Sequence, residues 1–155
     1  MFVPDKEAPF REARRVLRPG GHFLFNVWTG MEENAFARVA DATIGRFFPV
    51  DPPTFYQVPF GFHDQQVIGG YLRANGFTDI TLEKVTFETR AESAKQFAIG
   101  LVEGNPVSFA IREAGIAFET VVGAVTDALV AEGGDAPFRA SMCALVCTGR
   151  RARAQ

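Results

Sequence analysis

The sequence has only two histidines, His22 and His63. An imidazole close to its unperturbed pKa can give or take a proton at neutral pH, so each could serve as a general acid or base. His63 stands beside Asp64 in the run FGFHDQQVIGG, where a helix is expected to begin. A neighbouring His–Asp pair suits acid–base work. It equally suits a helix cap with one polar contact. Just upstream lies PVDPPTFYQVPFGF, residues 49–62, in which four prolines forbid regular structure. A long loop rich in aromatic rings is more often functional than a plain connector.

The two cysteines, Cys143 and Cys147, lie four apart in a run that reads as a strand. Even spacing puts them on one face, about 13 Å apart at ~3.3 Å per residue. That exceeds the ~7 Å Cα limit of a disulfide, and the spacing is not that of a zinc site. Both read as buried thiols in a reducing cytoplasm, with no metal. No Gly-x-Gly-x-x-Gly, P-loop, His-Glu-x-x-His or Gly-x-Ser-x-Gly occurs. Gly20-Gly21 precedes a strand instead of joining a strand to a helix N-terminus, so it reads as a turn and not as a phosphate loop.

These residues need elements to hold them. EARRVLRPGGHFLFNVW, residues 12–28, reads as a helix end, a Pro-Gly-Gly turn and a strand. The helix is expected over 5–17, capped by Asp5, with Phe10, Ala13, Val16 and Leu17 as its apolar stripe. In the strand, 22–28, both faces are largely apolar, which predicts cover on both sides. A second helix is expected over 34–48. A third follows His63, with Asp64 as N-cap and Gly76 as its stop. Residues 79–89 read as a strand whose alternation changes phase between Leu82 and Val85, predicting a bulge or twist near Lys84. Ser93 caps a helix to about Glu103. Helices over 106–114 and 116–132 follow, then a strand over 138–149.

Composition sets the outer limits. The 155 residues suit one domain, expected over 1–149 with a disordered tail at 150–155. An apolar share of 47% and a charged share of 22% are those of a globular protein with a real core, and 16 phenylalanines make that core rich in rings. Net charge is −2, which argues against a general nucleic-acid binder. Arg11, Arg14, Arg15 and Arg18 read as the wet face of a helix. Arg150, Arg151 and Arg153 read as a solvated tail. No run of ~18 apolar residues marks a membrane span. The start MFVPDKE lacks a basic region followed by an apolar one, so it does not read as a signal peptide.

The stretch FVPDKEAPFREARRVLRPGGHFLFNVW resembles the middle of a class I S-adenosylmethionine-dependent methyltransferase, closest to the ubiquinone/menaquinone-biosynthesis C-methyltransferase group. In that family a strand ends near a Pro-Asp pair, here Pro4-Asp5. A helix then runs into Leu-(Arg/Lys)-Pro-Gly-Gly, here Leu17 to Gly21, and a strand follows. FGFHDQQVIGGYLRANGFTDITLEKV resembles the next helix–strand unit, and the C-terminal strand resembles the family's seventh. The likeness runs over about residues 2–90 and 138–149.

The resemblance implies an α/β fold, α+β-like as truncated. A three-stranded mixed sheet would correspond to the family's strands 5-7-6, ordered 22–28, 138–149, 79–89. The last strand would lie in the middle, antiparallel to both, and about six helices would flank the sheet, with a helical insertion at about 90–132. The family's Gly-rich loop and ribose-binding acidic residue have no counterpart here, so no cofactor-binding residue is carried over. S-adenosylmethionine is expected in the intact family and not on this chain alone.

What the chain would keep is the acceptor side: a pocket of Trp28, Phe55, Tyr56, Phe60 and His63, with His63 as catalytic base. The strand 22–28 would have an open edge, which implies a homodimer through that strand, or a partner chain carrying the N-terminal half. No nucleic acid, membrane or metal is implied. Two other readings stand beside this one. The chain could be a self-standing α+β module enclosing an apolar ligand among Phe47, Phe48, Phe55, Tyr56 and Phe60. It could also be one half of a split methyltransferase.

Overall fold

A computed structural model of the chain describes residues 1–153. In chain order the elements are α1 (Ala8–Val16), β1 (His22–Trp28), α2 (Ala35–Gly45), α3 (Gln57–Phe60), α4 (Gln65–Ala74), β2 (Phe77–Ala91), α5 (Ala94–Val102), α6 (Val107–Glu113), α7 (Phe118–Gly133) and β3 (Phe138–Arg151). A 3-10 turn, Met31–Glu33, lies between β1 and α2. The strands form one sheet in the order β1-β3-β2, the expected order. β1 pairs antiparallel with β3, from His22 opposite Arg150 to Trp28 opposite Ala144. Contacts of Thr78 with Arg150 and of Thr81 with Thr148 show that β2 also runs antiparallel to β3. The extra helix is α3, a single turn inside the stretch expected to be irregular. Pro59 is tolerated there because the first turn of a helix needs no donor from it.

The chain divides into two compact units. One comprises residues 1–30, 58–85 and the segment from 143 onward; the other comprises 31–57 and 86–142. In β2 the division falls after Val85, just past the phase change that the sequence shows between Leu82 and Val85. The recorded irregularity of this strand lies earlier, at Asp79, with φ of 48°. Aspartate tolerates the left-handed region better than most side chains.

The first unit is built around one hydrophobic cluster. Phe10 of α1, Val27 of β1, Ile68 and Leu72 of α4, Phe77 of β2 and Leu145 of β3 are all buried in it. Phe10 meets Phe23 and Phe25 edge to face, with ring centroids 6.1 and 5.5 Å apart. Burying one such ring contributes about 1.5–3 kcal/mol. Asp5 accepts hydrogen bonds from the backbone of Glu7 and Ala8, so α1 begins later than expected, at Ala8. Gly20, with φ of 80°, supplies the left-handed turn into β1, and Gly76, with φ of 70°, stops α4.

Two expectations need correcting here. Cover on both faces of β1 is absent: His22, Leu24 and Asn26 are exposed, Leu24 at 67%. Phe23, Phe25 and Val27 take the inner face, and only that face meets the cluster. Arg150 and Arg151 also do not belong to a tail. β3 continues through them because Arg151 N–H donates to Gly21 O at 2.8 Å. The Arg151 guanidinium then donates to the carbonyls of Arg14 and Leu17, satisfying the free end of α1. Ala152 follows, its N–H donating to Gly76 O at 3.2 Å, Arg153 is exposed, and residues 154–155 of the expected tail lie outside the described ones.

The second unit is mainly helical. α7 packs against α5 and α2, burying Val121, Val125 and Leu129. Phe97 of α5 meets Phe36 of α2 edge to face and Phe138 of β3 at 4.8 Å. Ser93 caps α5 as expected, accepting from Gln96 N–H at 3.2 Å. No helix among the described residues is long and apolar enough to cross a membrane.

Candidate functional site

In the first unit, three of the five residues expected to line a pocket come together. β1 delivers Trp28 at its C-terminal end, and the indole stacks on Phe60 with centroids 5.6 Å apart and planes 26° apart. The chain then turns through Gly61 and Phe62 to His63, whose Nδ1 lies 2.7 Å from the Phe60 carbonyl. A carbonyl oxygen only accepts, so Nδ1 carries the hydrogen. In the neutral ring Nε2 then holds the lone pair, which is the tautomer a general base requires. His63 is exposed and Phe60 buried. The arrangement is a flat aromatic wall with a proton acceptor at its rim.

Asp64 does not orient the imidazole. Its Oδ1 accepts from the backbone N–H groups of Gln66 at 2.7 Å and Val67 at 3.2 Å. It is the N-cap of α4, the second of the two roles open to it from sequence. Thr29, one residue beyond Trp28, was not singled out by its sequence context. It is buried, its N–H pairs with Cys143 O, and its hydroxyl donates to the same carbonyl at 3.0 Å. A lone threonine after a strand gives no signal of that in sequence.

The other two expected residues lie in the second unit. Phe55 and Tyr56 meet edge to face at 5.2 Å. Tyr56 is buried and its hydroxyl donates to Leu101 O at 2.7 Å. The Asn105 amide reaches the same carbonyl at 3.1 Å. Burial raises the Tyr56 pKa above the ordinary phenol value, so the ring stays neutral and acts as a tie to α5. The described cavities lie elsewhere. One of about 350 Å³ in the first unit is lined by Thr78, Arg150, Arg151, Ala152 and Arg153. An open groove of about 420 Å³ in the second runs along Thr86–Glu88 and Arg139–Ser141.

A nucleoside cofactor with a ribose and an amino-acid tail would need a free carboxylate and a loop of backbone donors. In the Trp28–Phe60–His63 cluster the adjacent carboxylate caps a helix and the adjacent hydroxyl is bonded to a carbonyl. The residues present therefore do not fit such a group. Neither cysteine is in a disulfide, both are buried, and burial pushes the Cys147 thiol up to about 11. A thiol raised that far is not a nucleophile at neutral pH.

No protein-family model matches the chain, and no curated protein matches it. Solved structures do. One is a protein of Bacillus halodurans C-125 provisionally named a methyltransferase, at 13% identity and a TM-score of 0.50, over 97% of this chain and 65% of that one. Another is the YcgJ protein of Bacillus subtilis, at 14% identity and a TM-score of 0.46, over 99% and 60%. A third is the Haemonchus contortus phosphoethanolamine N-methyltransferase 2, solved with phosphomonomethylethanolamine and S-adenosylhomocysteine. It matches at 14% identity and a TM-score of 0.43, over 98% and 31%. The chain thus spans less than two thirds of the length of each. The Bacillus halodurans likeness is one of fold.

Proposed function

We propose that this chain is the acceptor-side portion of an S-adenosylmethionine-dependent methyltransferase for a small molecule, and that it transfers no methyl group alone. The observation that carries this reading is the shared fold over 97% of this chain and 65% of the Bacillus halodurans protein. The Leu17–Gly21 turn and its flanks support it from the sequence side, within the ubiquinone/menaquinone-type group. So does the poor fit of the aromatic cluster to the cofactor itself. Two buried cysteines outside any disulfide suit a reducing cytoplasm.

In this reading Trp28 and Phe60 hold a flat, aromatic or phenolic acceptor, and His63 Nε2 takes its proton. Phe55 and Tyr56 belong to the acceptor side, Tyr56 as a structural tie. The cofactor half comes from a further polypeptide segment, on this chain's parent or on a separate chain.

A thermal shift of the purified chain with millimolar S-adenosylmethionine or S-adenosylhomocysteine is the first test. A ligand at a hundred times its dissociation constant stabilises the folded state by ~2.7 kcal/mol. The expected result is no shift for the lone chain. A clear rise would overturn its inactivity. The second arm adds a polypeptide carrying a strand, a Gly-rich loop and a helix. Binding regained in the mixture supports the assignment, and a stable assembly that still binds neither compound overturns it.

A further inference from the structure

The end of the sheet remote from Trp28 gathers positive charge around a cavity. Its lining is Thr78 of β2, then Arg150 and Arg151 at the end of β3, then Ala152 and Arg153. His22 lies opposite Arg150, while Trp28 lies opposite Ala144. Six residues of β1, at ~3.3 Å each, put the cavity about 20 Å from the aromatic cluster. Its walls are held from both sides. Gly20 N–H donates to Arg151 O at 2.9 Å, and Ala152 N–H donates to Gly76 O at 3.2 Å. The Thr78 hydroxyl donates to Arg150 O at 3.4 Å.

Three guanidinium groups line this space, and one carboxylate stands by them. Asp79 lies 3.5 Å from Arg150, with its side chain 67% exposed. Arg150 Nε also donates to Gly20 O at 3.4 Å. Arg151 meets the carbonyls of Arg14 and Leu17 through one nitrogen, Nη1. Its Nε is buried with no hydrogen-bond partner among the described residues. A buried donor without an acceptor is costly, so such a group marks a place where an acceptor belongs. Arg153 has no carboxylate partner among the described residues. Gly20, at φ of 80°, has no side chain. The point where one would begin lies 3.6 Å from Arg153 Nε and 3.8 Å from Arg150 Nη2. Two guanidinium groups therefore converge on space that a side chain would fill.

We propose that this cavity binds the phosphate group of a small molecule. One carboxylate against three guanidinium groups leaves two positive charges, and a phosphate monoester carries about −1.5 to −2 at pH 7. Guanidinium N–H groups match phosphate oxygens in charge and in geometry. Those oxygens supply the acceptor that Arg151 Nε lacks. The cavity holds about 350 Å³, the low end of the ~300–1,000 Å³ of small-molecule sites. That size suits a short phosphate monoester, not a dinucleotide or a polynucleotide.

Calorimetric titration of the chain with glycerol phosphate and with inorganic phosphate, at constant ionic strength, tests this. No S-adenosylmethionine is needed, so the result is independent of the methyl-transfer reading. Saturable binding of one phosphate per chain is expected, and the tighter compound names the source of the group. Arg153→Gln should weaken binding about tenfold or more, the loss expected for one charge-assisted hydrogen bond. Its fold should be unchanged, because Arg153 is exposed. Arg15→Gln, on an exposed arginine of α1 paired with Glu12, should leave the affinity as it was. In nitrogen-15 spectra of the unaltered chain, the Arg151 Nε–H signal should shift and exchange more slowly once phosphate is added. No binding of either compound at millimolar concentration overturns the proposal. So does an affinity that Arg153→Gln and Arg15→Gln lower alike, or an Arg151 Nε–H signal that ignores phosphate. Binding seen only with a polynucleotide or with anionic vesicles overturns it as well.

Discussion

The two outer strands of the sheet handle the same problem in opposite ways. β2 presents Asp79, Glu83 and Lys84 within the first unit, and its backbone is bent at Asp79. β1 presents His22, Leu24 and Asn26, uncharged and regular over seven residues. Both are outer strands of the sheet. Only one is guarded against pairing. An unguarded edge over a well-packed inner face marks where a sheet is meant to continue. The contrast also separates packing from exposure. Phe23 and Phe25 rest against Phe10, while the side chains one residue away have no cover. β1 is therefore firmly held on its inner face and one edge, while its outer face is open from His22 to Asn26 and covered at Trp28 by Phe60.

The largest effect should come from removing the ring that holds β1 down. Phe10 is 3% exposed and touches both Phe23 and Phe25. Phe10→Ala should cost about 3–5 kcal/mol in denaturant unfolding, the usual range for a buried phenylalanine. A loss under about 1 kcal/mol would mean that β1 is held by β3 alone.

A pH scan reports on the strand between the two edges. Cys147 of β3 lies opposite Phe25, and burial raises its pKa from 9.0 to about 11. A thiol whose folded pKa is raised keeps its proton longer when folded. Its contribution is whole below pH 9 and is lost as the pH climbs toward 11. Stability should fall by about 2–3 kcal/mol across that window. Cys147→Val should flatten the fall. An unchanged slope in that variant would assign the loss to other groups.

A smaller effect is read as association instead of stability. Replacing Glu83 and Lys84 by threonine removes two of the guards on β2. Surface substitutions of this kind usually change stability by less than ~0.5 kcal/mol. The double variant should form species larger than the parent at high concentration. Identical sedimentation would mean that the bend at Asp79 guards this edge by itself.

Much of this was legible in the sequence, and the exceptions have physical causes. β1 was located to the residue because Pro19-Gly20-Gly21 fixes its start and its apolar run is short and bounded. The caps at Asp64 and Ser93 were legible because a side-chain acceptor preceding a helical stripe has few other uses. The exposed outer face of β1 was not, because apolar residues on both sides of a strand look alike whether covered or not. The end of β3 was missed because arginines read as solvated. Arg151 instead meets the carbonyls at the end of α1, a contact between residues more than a hundred apart in sequence. At the candidate site, Trp28, Phe60 and His63 follow in the sequence only from the family resemblance, and their grouping comes from stacking and a backbone contact that no local pattern encodes.

The left-handed backbone at Asp79 gives the sharpest test. The residue has φ of 48° and its carboxylate lies 3.5 Å from the Arg150 guanidinium. Two causes could hold the bend, backbone tolerance or the ion pair. The pair is largely exposed, and such pairs contribute about 0–1 kcal/mol. A left-handed residue with a plain side chain costs about 1–2 kcal/mol. Asp79→Ala removes both and should lower stability by about 1 kcal/mol. Asp79→Gly removes the pair but frees the backbone, so it should cost less than the alanine variant or nothing. If the two cost the same, the ion pair holds the bend and salt should weaken it. If glycine is the milder change, the backbone holds it, and β2 keeps its bend at any ionic strength.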